Sequence, residues 1–181
     1  MNARWLALPM AAALLTVPTG AAPTDLLTGP GTISLTLTAP LADLRSRAAR
    51  DDKAAVTGTV HLDPLGGAAS FDVRVSERGH TSRNPEECAF PKLRLEFTSS
   101  NRTDTPFESV DVLKIGTHCG EARPGTLTPK YGRLANETAP RREAMVYGIL
   151  AAAGIPTLRA RPARITYVFD DAPSRPPLTR G

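Results

Sequence analysis

Two stretches of sequence decide the fold: residues 88–97, CAFPKLRLEF, and residues 110–120, VDVLKIGTHCG. We interpret them as neighbouring strands joined by the polar loop Thr98–Ser109. In an antiparallel pair centred on this loop, Leu93 lies opposite Lys114. The same register places the two cysteines of the chain at mirror-image positions. The sequence therefore predicts an antiparallel hairpin that carries both cysteines.

The two cysteines, Cys88 and Cys119, are expected to form a disulfide bond, because facing residues of an antiparallel pair lie close enough to be bridged. A bridge closing a loop of about 30 residues contributes roughly 3 kcal/mol in a model based on chain entropy. The alternative is a Cys–His nucleophilic pair with His118, but adjacent strand residues point to opposite faces. The other histidines, His61 and His80, lie in unrelated segments, so no metal site and no catalytic residue are predicted.

The N-terminus resembles a secretory signal peptide. Arg4 precedes an apolar run, and Thr19 with Ala21 forms a small-x-small cleavage pattern. The apolar run is interrupted by prolines and is shorter than the roughly 18 residues that a membrane-spanning helix needs. We expect residues 1–21 to be cleaved, no membrane span after cleavage, and a periplasmic or secreted protein that begins at Ala22.

The remaining chain has the size of one domain. We expect a flexible mature N-terminus at 22–31, a single α+β domain at 32–170, and a disordered Pro/Arg-rich tail at 171–181. The net charge is +4, and aromatic residues make up 5% of the chain. Because the arginines are dispersed and few aromatics accompany them, no nucleic-acid partner is expected.

Short runs rich in β-formers predict an antiparallel sheet of about five or six strands. The predicted strands are Thr32–Thr38, Ala55–Leu62, Ala69–Ser76, Leu93–Phe97, Val110–Thr117 and Arg164–Phe169. The second and third of these flank a turn-rich connector and form a predicted hairpin. Residues 41–54 carry mixed charge and are interpreted as a solvated loop or a short exposed helix.

One main helix is predicted over 142–154, REAMVYGILAAAG. Its apolar residues form one stripe, which we expect to pack on a face of the sheet. Gly154 is expected to end the helix. The members of the stripe and of the row beside it are Met145, Val146, Ile149, Leu150, Ala152 and Ala153.

Three cations are candidate anion-contacting residues: Arg78, Lys92 and Lys114. Arg78 lies in the polar segment ERGHTSRNPEE, which is either a basic loop for an anionic group or a solvated connection. Lys114, inside an apolar run, either extends to an exposed face of the sheet or points into a cleft to meet an anion. Asp170 and Asp171 are interpreted either as metal ligands or as a solvated strand end, and the solvated strand end is preferred.

The order RGHTSR, CAFPKLRLEF, FESVDVLKIGTHCG and RREAMVYGILAAAGIPTLRARPARITYVF resembles the N-terminal part of exported bacterial proteins related to the CotH kinase-like family. The resemblance covers about Ser70–Asp170 and implies the nucleotide-binding half of a kinase-like fold. By position, Lys92 resembles the strand lysine of that family, and Arg78 resembles its basic loop. The resemblance does not include the family's later acidic residues, which a kinase mechanism needs to bind magnesium. It also does not include a kinase glycine-loop pattern or a phosphate-loop pattern.

The sequence thus favours an exported non-catalytic envelope or secreted module that resembles an incomplete CotH-like domain, with no cofactor and with an envelope protein as a candidate partner. The first alternative is a truncated atypical phosphotransferase or nucleotide-binding protein, completed by missing sequence or by a partner. The second is an unrelated structural or inhibitory binding module. Activity for this chain alone is left open, with a preference against it.

Overall fold

The computed structural model describes residues 25–29, 31–63, 70–84, 88, 90–117 and 139–181. Within these ranges, seven strands and two α-helices follow one another along the chain. The strands are β1 (Ile33–Ala39), β2 (Ala55–Leu62), β3 (Ser70–Arg78), β4 (Lys92–Phe97), β5 (Val112–Ile115), β6 (Ala163–Phe169) and β7 (Leu178–Arg180). The helices are α1 (Leu41–Ala48) and α2 (Ala139–Ala152).

All seven strands form one sheet in the order β5-β4-β3-β2-β1-β6-β7, which curves into a half-barrel. The α+β expectation is met at this level, but the expected antiparallel sheet of five or six strands is wrong. The sheet is mixed, because β1 pairs parallel to β6, with Leu35 opposite Ile165. This pairing joins strands that are far apart in sequence, and a parallel pair requires a long crossover connection.

The predicted β2–β3 hairpin is confirmed, with Val56 opposite Val75 and Val60 opposite Phe71. The expected register of β4 and β5 is wrong by one residue. Leu93 lies opposite Ile115, not Lys114. Since side chains alternate between faces, this shift of one residue moves Lys114 from the face of Leu93 to the opposite face.

The core lies on one face of the sheet and is mainly aliphatic, as its alternating burial shows along every long strand. Leu37, Val60, Val73, Val75 and Leu95 are completely or almost completely buried there. Burying such side chains stabilises a fold by about 1.5–3 kcal/mol each relative to leaving them exposed. This face is therefore the main source of stability among the described elements.

The loop between β4 and β5 also contributes to the core. Phe107 is fully buried, and its ring centroid lies 5.0 Å from those of Phe71 and Phe97. Arg102 holds the loop closed by donating to the carbonyl oxygens of Ser99, at 3.1 Å, and of Val110. The connection that the sequence presents as polar is thus anchored by one apolar side chain.

Gly58 allows β1 and β2 to approach closely. A Cβ atom at this position would lie 2.6 Å from both the Cβ of Ala39 and the carbonyl oxygen of Thr38. No side chain fits at that distance, so a residue other than glycine would displace β1 from β2.

Helix α1 covers the core with Leu41 and Leu44, although its sequence is dominated by charge. Of the two interpretations of this segment, the short helix is the one observed. Its first turn is held from the other end of the chain, where the Asp171 carboxylate accepts from the backbone N–H of Asp43 at 2.6 Å. Asp171 is exposed just after the end of β6, in agreement with the preferred interpretation as a solvated strand end, and it also caps α1.

Helix α2 ends as expected. Gly154 has φ of +71°, and the N–H groups of Gly154 and Ile155 donate to the carbonyls of Ala151 and Leu150, both at 3.0 Å. These two bonds form a Schellman motif, for which glycine is the favoured residue.

The expectation that the α2 stripe packs on the sheet is wrong. Met145 is 61% exposed, Val146 48% and Ile149 59%. The helix instead contacts the sheet near its first turns, where Pro140 and Glu143 lie beside Gly116. Periodicity showed which residues share a face of α2, but it could not show whether that face meets the core.

The C-terminal segment differs from the expected disordered tail, because β7 pairs antiparallel with β6. Arg175 also places its guanidinium 3.9 Å from the centroid of the Phe169 ring. Among the described helices, none is long and apolar enough to cross a membrane. The predicted signal peptide at 1–21 and Cys119 lie outside the described residues. Of the expected flexible segment 22–31, the structure describes 25–29 and 31, and the expectation is wrong there, because Leu26 is buried in the core and its N–H donates to the carbonyl oxygen of Pro106 at 3.1 Å.

Candidate functional site

The register of β3, β4 and β5, at one edge of the sheet, brings like charges together on the face opposite the core. Arg78 on β3 lies directly opposite Lys92 on β4. In the next row, Arg94 on β4 lies directly opposite Lys114 on β5. Like charges facing one another across a strand pair are destabilising. A fold that retains two such pairs side by side has a region of positive potential suited to an anionic ligand.

The three cations selected from the sequence therefore lie on three neighbouring strands of one face. Arg78 and Lys92 share a row, and Lys114 stands in the adjacent row. Lys114 is exposed, as the interpretation of an outward-pointing lysine predicted. Arg94 completes the group and was missed, because only the correct register of β4 and β5 shows that it is the partner of Lys114.

Helix α2 places one carboxylate next to this group. The Glu143 carboxylate lies 3.8 Å from the ammonium of Lys92, and its other oxygen accepts from the Tyr147 hydroxyl at 3.0 Å. This hydrogen bond from Tyr147 raises the pKa of its phenol, while the charge of Arg78 acts in the opposite direction. Arg78, Lys92, Glu143 and Tyr147 thus form one electrostatic cluster between the sheet and α2.

A cavity of about 740 Å³ opens beside the cluster. Arg78 and Lys114 line it from the sheet, and Glu143 and Tyr147 line it from α2. Glu143 is the carboxylate side chain among its described lining residues, whereas several cations contribute to the wall. These cations are Arg78, Lys114, Arg141, Arg159, Arg161, Arg164 and Arg180.

Arg78 has unused hydrogen-bonding capacity at this cavity. Its Nε atom is buried and has no hydrogen-bond partner within the described part of the chain. A buried donor without a partner costs about 1–3 kcal/mol, and more where the group is charged. Because this atom has almost no accessible surface, an anionic oxygen in the cavity would reach it only if the Arg78 side chain moved.

Several arginines on the far wall of the cavity hold the fold together. Arg161 donates to the carbonyl oxygens of Leu26 at 2.9 Å and Gly31 at 3.0 Å. Arg159 pairs with Asp25 at 3.0 Å. The N–H of Leu27, followed by the Ser109 hydroxyl, keeps the pKa of Asp25 below its ordinary value. These arginines position the 158–164 segment, so they are less available to a ligand than Arg78 and Lys114.

A second ionic cluster lies beside Cys88. Arg45 of α1 donates to both carboxylate oxygens of Glu77 at 3.2 Å and to the carbonyl oxygen of Cys88 at 2.9 Å. Glu77 is 6% exposed, and burial raises the pKa of its carboxyl despite the opposing effect of Arg45. This cluster joins α1, β3 and the Cys88 segment, and its role is structural.

The predicted disulfide bond stays a prediction, because Cys119 lies outside the described residues. Cys88 does not lie in β4, so the facing-strand geometry inferred from the sequence does not apply to it. The contacts around it are nevertheless compatible with a bridge. Cys88 Sγ lies 3.2 Å from the carbonyl oxygen of Phe90, and the Thr117 hydroxyl donates to that same oxygen at 2.9 Å. The residue two positions before Cys119 is thus held close to Cys88.

Within the described ranges, no group of three or more His, Cys, Asp or Glu side chains is arranged to hold a metal ion. His61 lies 4.0 Å from Asp63 at the edge of β2, far along the sheet from the cluster. His118 lies outside the described residues.

Comparison of the chain with protein-family models, with curated proteins and with solved structures gave no match. The site is therefore interpreted from its own residues.

Proposed function

We propose that this chain is an exported, non-catalytic envelope or secreted module that acts by binding an anionic group in the cavity beside Arg78 and Lys114. The observation that carries the proposal is the pair of like-charge rows, Arg78 opposite Lys92 and Arg94 opposite Lys114. Glu143 and Glu96 pair with Lys92 and Arg94, which leaves Arg78 and Lys114 as the cations of these rows with no ion pair among the described residues, and the remaining repulsion disfavours the ligand-free fold. An anion bound among these cations would offset that repulsion.

The described carboxylates near this face support binding over acid–base chemistry. Glu96 pairs with Arg74 at 3.1 Å and with Arg94 at 2.7 Å, and these contacts, led by the hydrogen bond from Arg74, lower the pKa of Glu96. Glu143 is occupied by Lys92 and Tyr147. Each of these carboxylates already has cationic or hydroxyl partners, whereas Arg78 and Lys114 face the cavity.

Anion binding can be tested by its effect on stability. A ligand that binds only the folded state raises the midpoint of thermal unfolding, and above Kd the stabilisation grows with the logarithm of the ligand concentration. Inorganic pyrophosphate, compared with sodium chloride at the same ionic strength, is expected to raise that midpoint. Equal midpoints in the two salts across millimolar concentrations would contradict the proposal.

Export is proposed from the signal-like N-terminus, and it places the protein in the periplasm or medium. Mass spectrometry of the protein recovered from these fractions is expected to give a chain that begins at Ala22. A chain that retains Met1 would contradict this part of the proposal.

One observation favours the second candidate, a truncated phosphotransferase or nucleotide-binding protein. The lysine that resembles the strand lysine of the CotH-like family, Lys92, is paired with a glutamate on a helix, Glu143. Active protein kinases place a strand lysine and a helix glutamate in such a pair. Magnesium-dependent labelling of the chain or of another protein by ATP, abolished in Lys92→Ala, would replace the non-catalytic proposal with this one.

A further inference from the structure

The floor of the cavity is apolar, although its wall is cationic. Ile33, Leu113, Ile115 and Ile165 line it from β1, β5 and β6. Each retains an exposed fraction of 6–8%, whereas Leu37 on the same face is fully buried. The floor of the cavity is therefore made of core side chains that border it.

The cations stand to one side of this floor. Arg78 and Lys114 belong to the sheet face opposite the core, and both reach the same cavity as Ile115 and Leu113. On β5 the two kinds of side chain alternate along four residues, with Leu113 and Ile115 buried and Lys114 exposed. A single ligand could thus contact apolar carbon on the floor and positive charge at the rim.

We propose that the cavity binds an amphipathic anion, with an alkyl or acyl chain on the floor formed by Ile33, Leu113, Ile115 and Ile165 and with its anionic head at Arg78 and Lys114. This inference rests on the proposed anion binding and adds the class of ligand. The volume of about 740 Å³ lies in the range typical of small-molecule sites, and an apolar pocket with a few placed polar groups is their usual composition.

Arg78 and Lys114, which both line the cavity, indicate where the head would lie. A phosphate or carboxylate oxygen there would receive a charge-assisted hydrogen bond, which is stronger than a bond between neutral groups. Both head groups offer the same chemistry, a compact anion with two or more acceptor oxygens. A lipid phosphate and a free fatty acid would therefore both be candidate sources.

The test compares ligands that share a head group and differ in their tail. Methyl phosphate and decyl phosphate, both below the micellar concentration of the latter, are titrated into the mature protein by calorimetry. Each methylene group buried on the floor is expected to raise affinity about threefold to fourfold. We expect decyl phosphate to bind at least tenfold more tightly than methyl phosphate.

Two further probes identify the head and its source. Decyltrimethylammonium, which has the same tail and a positive head, is expected not to bind, and equal binding of this cation would overturn the assignment of Arg78 and Lys114. Decanoate is expected to bind, and its affinity relative to decyl phosphate shows whether the site favours a carboxylate or a phosphate. Failure of both decanoate and decyl phosphate to bind more tightly than methyl phosphate would overturn the proposal.

A matched pair of variants on α2 tests where the alkyl tail binds. Ala144 lines the cavity, whereas Ala151 is exposed on the same helix and does not line it. Ala144→Phe is expected to fill part of the cavity and to weaken decyl phosphate at least tenfold while leaving methyl phosphate within twofold. Ala151→Phe is expected to change neither, and an equal effect of both variants would place the tail elsewhere.

These outcomes separate the two proposals. If methyl phosphate binds and the decyl tail adds nothing, the amphipathic ligand is wrong and anion binding stands. If neither phosphate binds, both proposals fail.

Discussion

Arg78 and Lys92 are directly opposite one another on β3 and β4, and the Lys92 ammonium lies 3.8 Å from Glu143 of α2. The row of Arg78 and Lys92 thus carries two positive charges, and the Glu143 carboxylate pairs with one of them. In the row next to it, Arg94 lies opposite Lys114 and is paired with Glu96 at 2.7 Å. Each row thus has one cation with a carboxylate partner and one, Arg78 or Lys114, with no ion pair among the described residues.

The first prediction concerns the repulsion between Arg78 and Lys92. Arg78→Met removes one of the two facing cations and keeps most of the side-chain volume. We expect the free energy of unfolding without ligand to rise by about 0.2–1 kcal/mol, the usual size of a cross-strand charge effect. Urea denaturation at low ionic strength measures it.

Arg74→Met is the matched control, because Arg74 stands on the same strand and face but lies opposite Glu96, 3.1 Å from its carboxylate. This exposed pair contributes about 0.2–1 kcal/mol, so the control is expected to lose stability. A loss of stability in Arg78→Met larger than in Arg74→Met would show that Arg78 supports the fold.

The second prediction uses the pH dependence of Glu77. Burial raises the pKa of this carboxyl in the folded state above its ordinary value of 4.5. A raised folded-state pKa contributes stability that is fully present below the unfolded pKa and is lost as pH rises through the folded pKa. Wild type is therefore expected to lose stability relative to Glu77→Gln as pH rises above about 4.5.

The measurement is the free energy of unfolding of both proteins at several pH values between 4 and 8, the difference being taken at each pH. If that difference instead moves in favour of wild type as pH rises, the ion pair with Arg45 outweighs burial, and the pKa of Glu77 is lowered.

The third prediction is the bridge between Cys88 and Cys119. We expect no thiol to react with a thiol reagent in the oxidised protein under denaturing conditions. Reduction is expected to lower the free energy of unfolding by roughly 3 kcal/mol, the value for a closed loop of about 30 residues. The double variant Cys88→Ser with Cys119→Ser should match the reduced protein. Two reactive thiols in the oxidised wild type would disprove the bridge.

The fourth prediction concerns the exposed stripe of α2. Because Met145 and Ile149 are mostly exposed, Met145→Ser and Ile149→Ser are each expected to change the free energy of unfolding by less than about 0.5 kcal/mol. Leu95→Ala, at a fully buried position of β4, is expected to cost about 2–5 kcal/mol. A cost above 2 kcal/mol for either stripe variant would show that this face is buried in solution.

Local patterns predicted the local elements well. The bounds of β2 are those predicted, and the predicted bounds of β4 and β6 differ from the observed ones by one residue. Gly154 ends α2 as predicted. Each of these depends on residues that are adjacent in sequence, where alternation, glycine and proline act directly.

The sheet order and the site depend on contacts between distant segments. Nothing near β1 or β6 in the sequence shows that they pair in parallel. The register of β4 and β5 was misjudged because the loop was treated as symmetric, whereas it extends through Val110 and Asp111 and inserts Phe107 into the core. That error of one residue concealed the pairing of Arg94 with Lys114, although Arg78, Lys92 and Lys114 had been selected by their chemistry.

The most direct test of anion binding at this face is a calorimetric titration of the protein with inorganic pyrophosphate at fixed ionic strength. Wild type and Arg74→Met are expected to bind with similar Kd. Arg78→Met combined with Lys114→Met is expected to weaken binding at least tenfold, because each lost charge-assisted hydrogen bond contributes about 1.5–3 kcal/mol. Unchanged pyrophosphate affinity in the double variant, or an equal loss in Arg74→Met, would contradict the account.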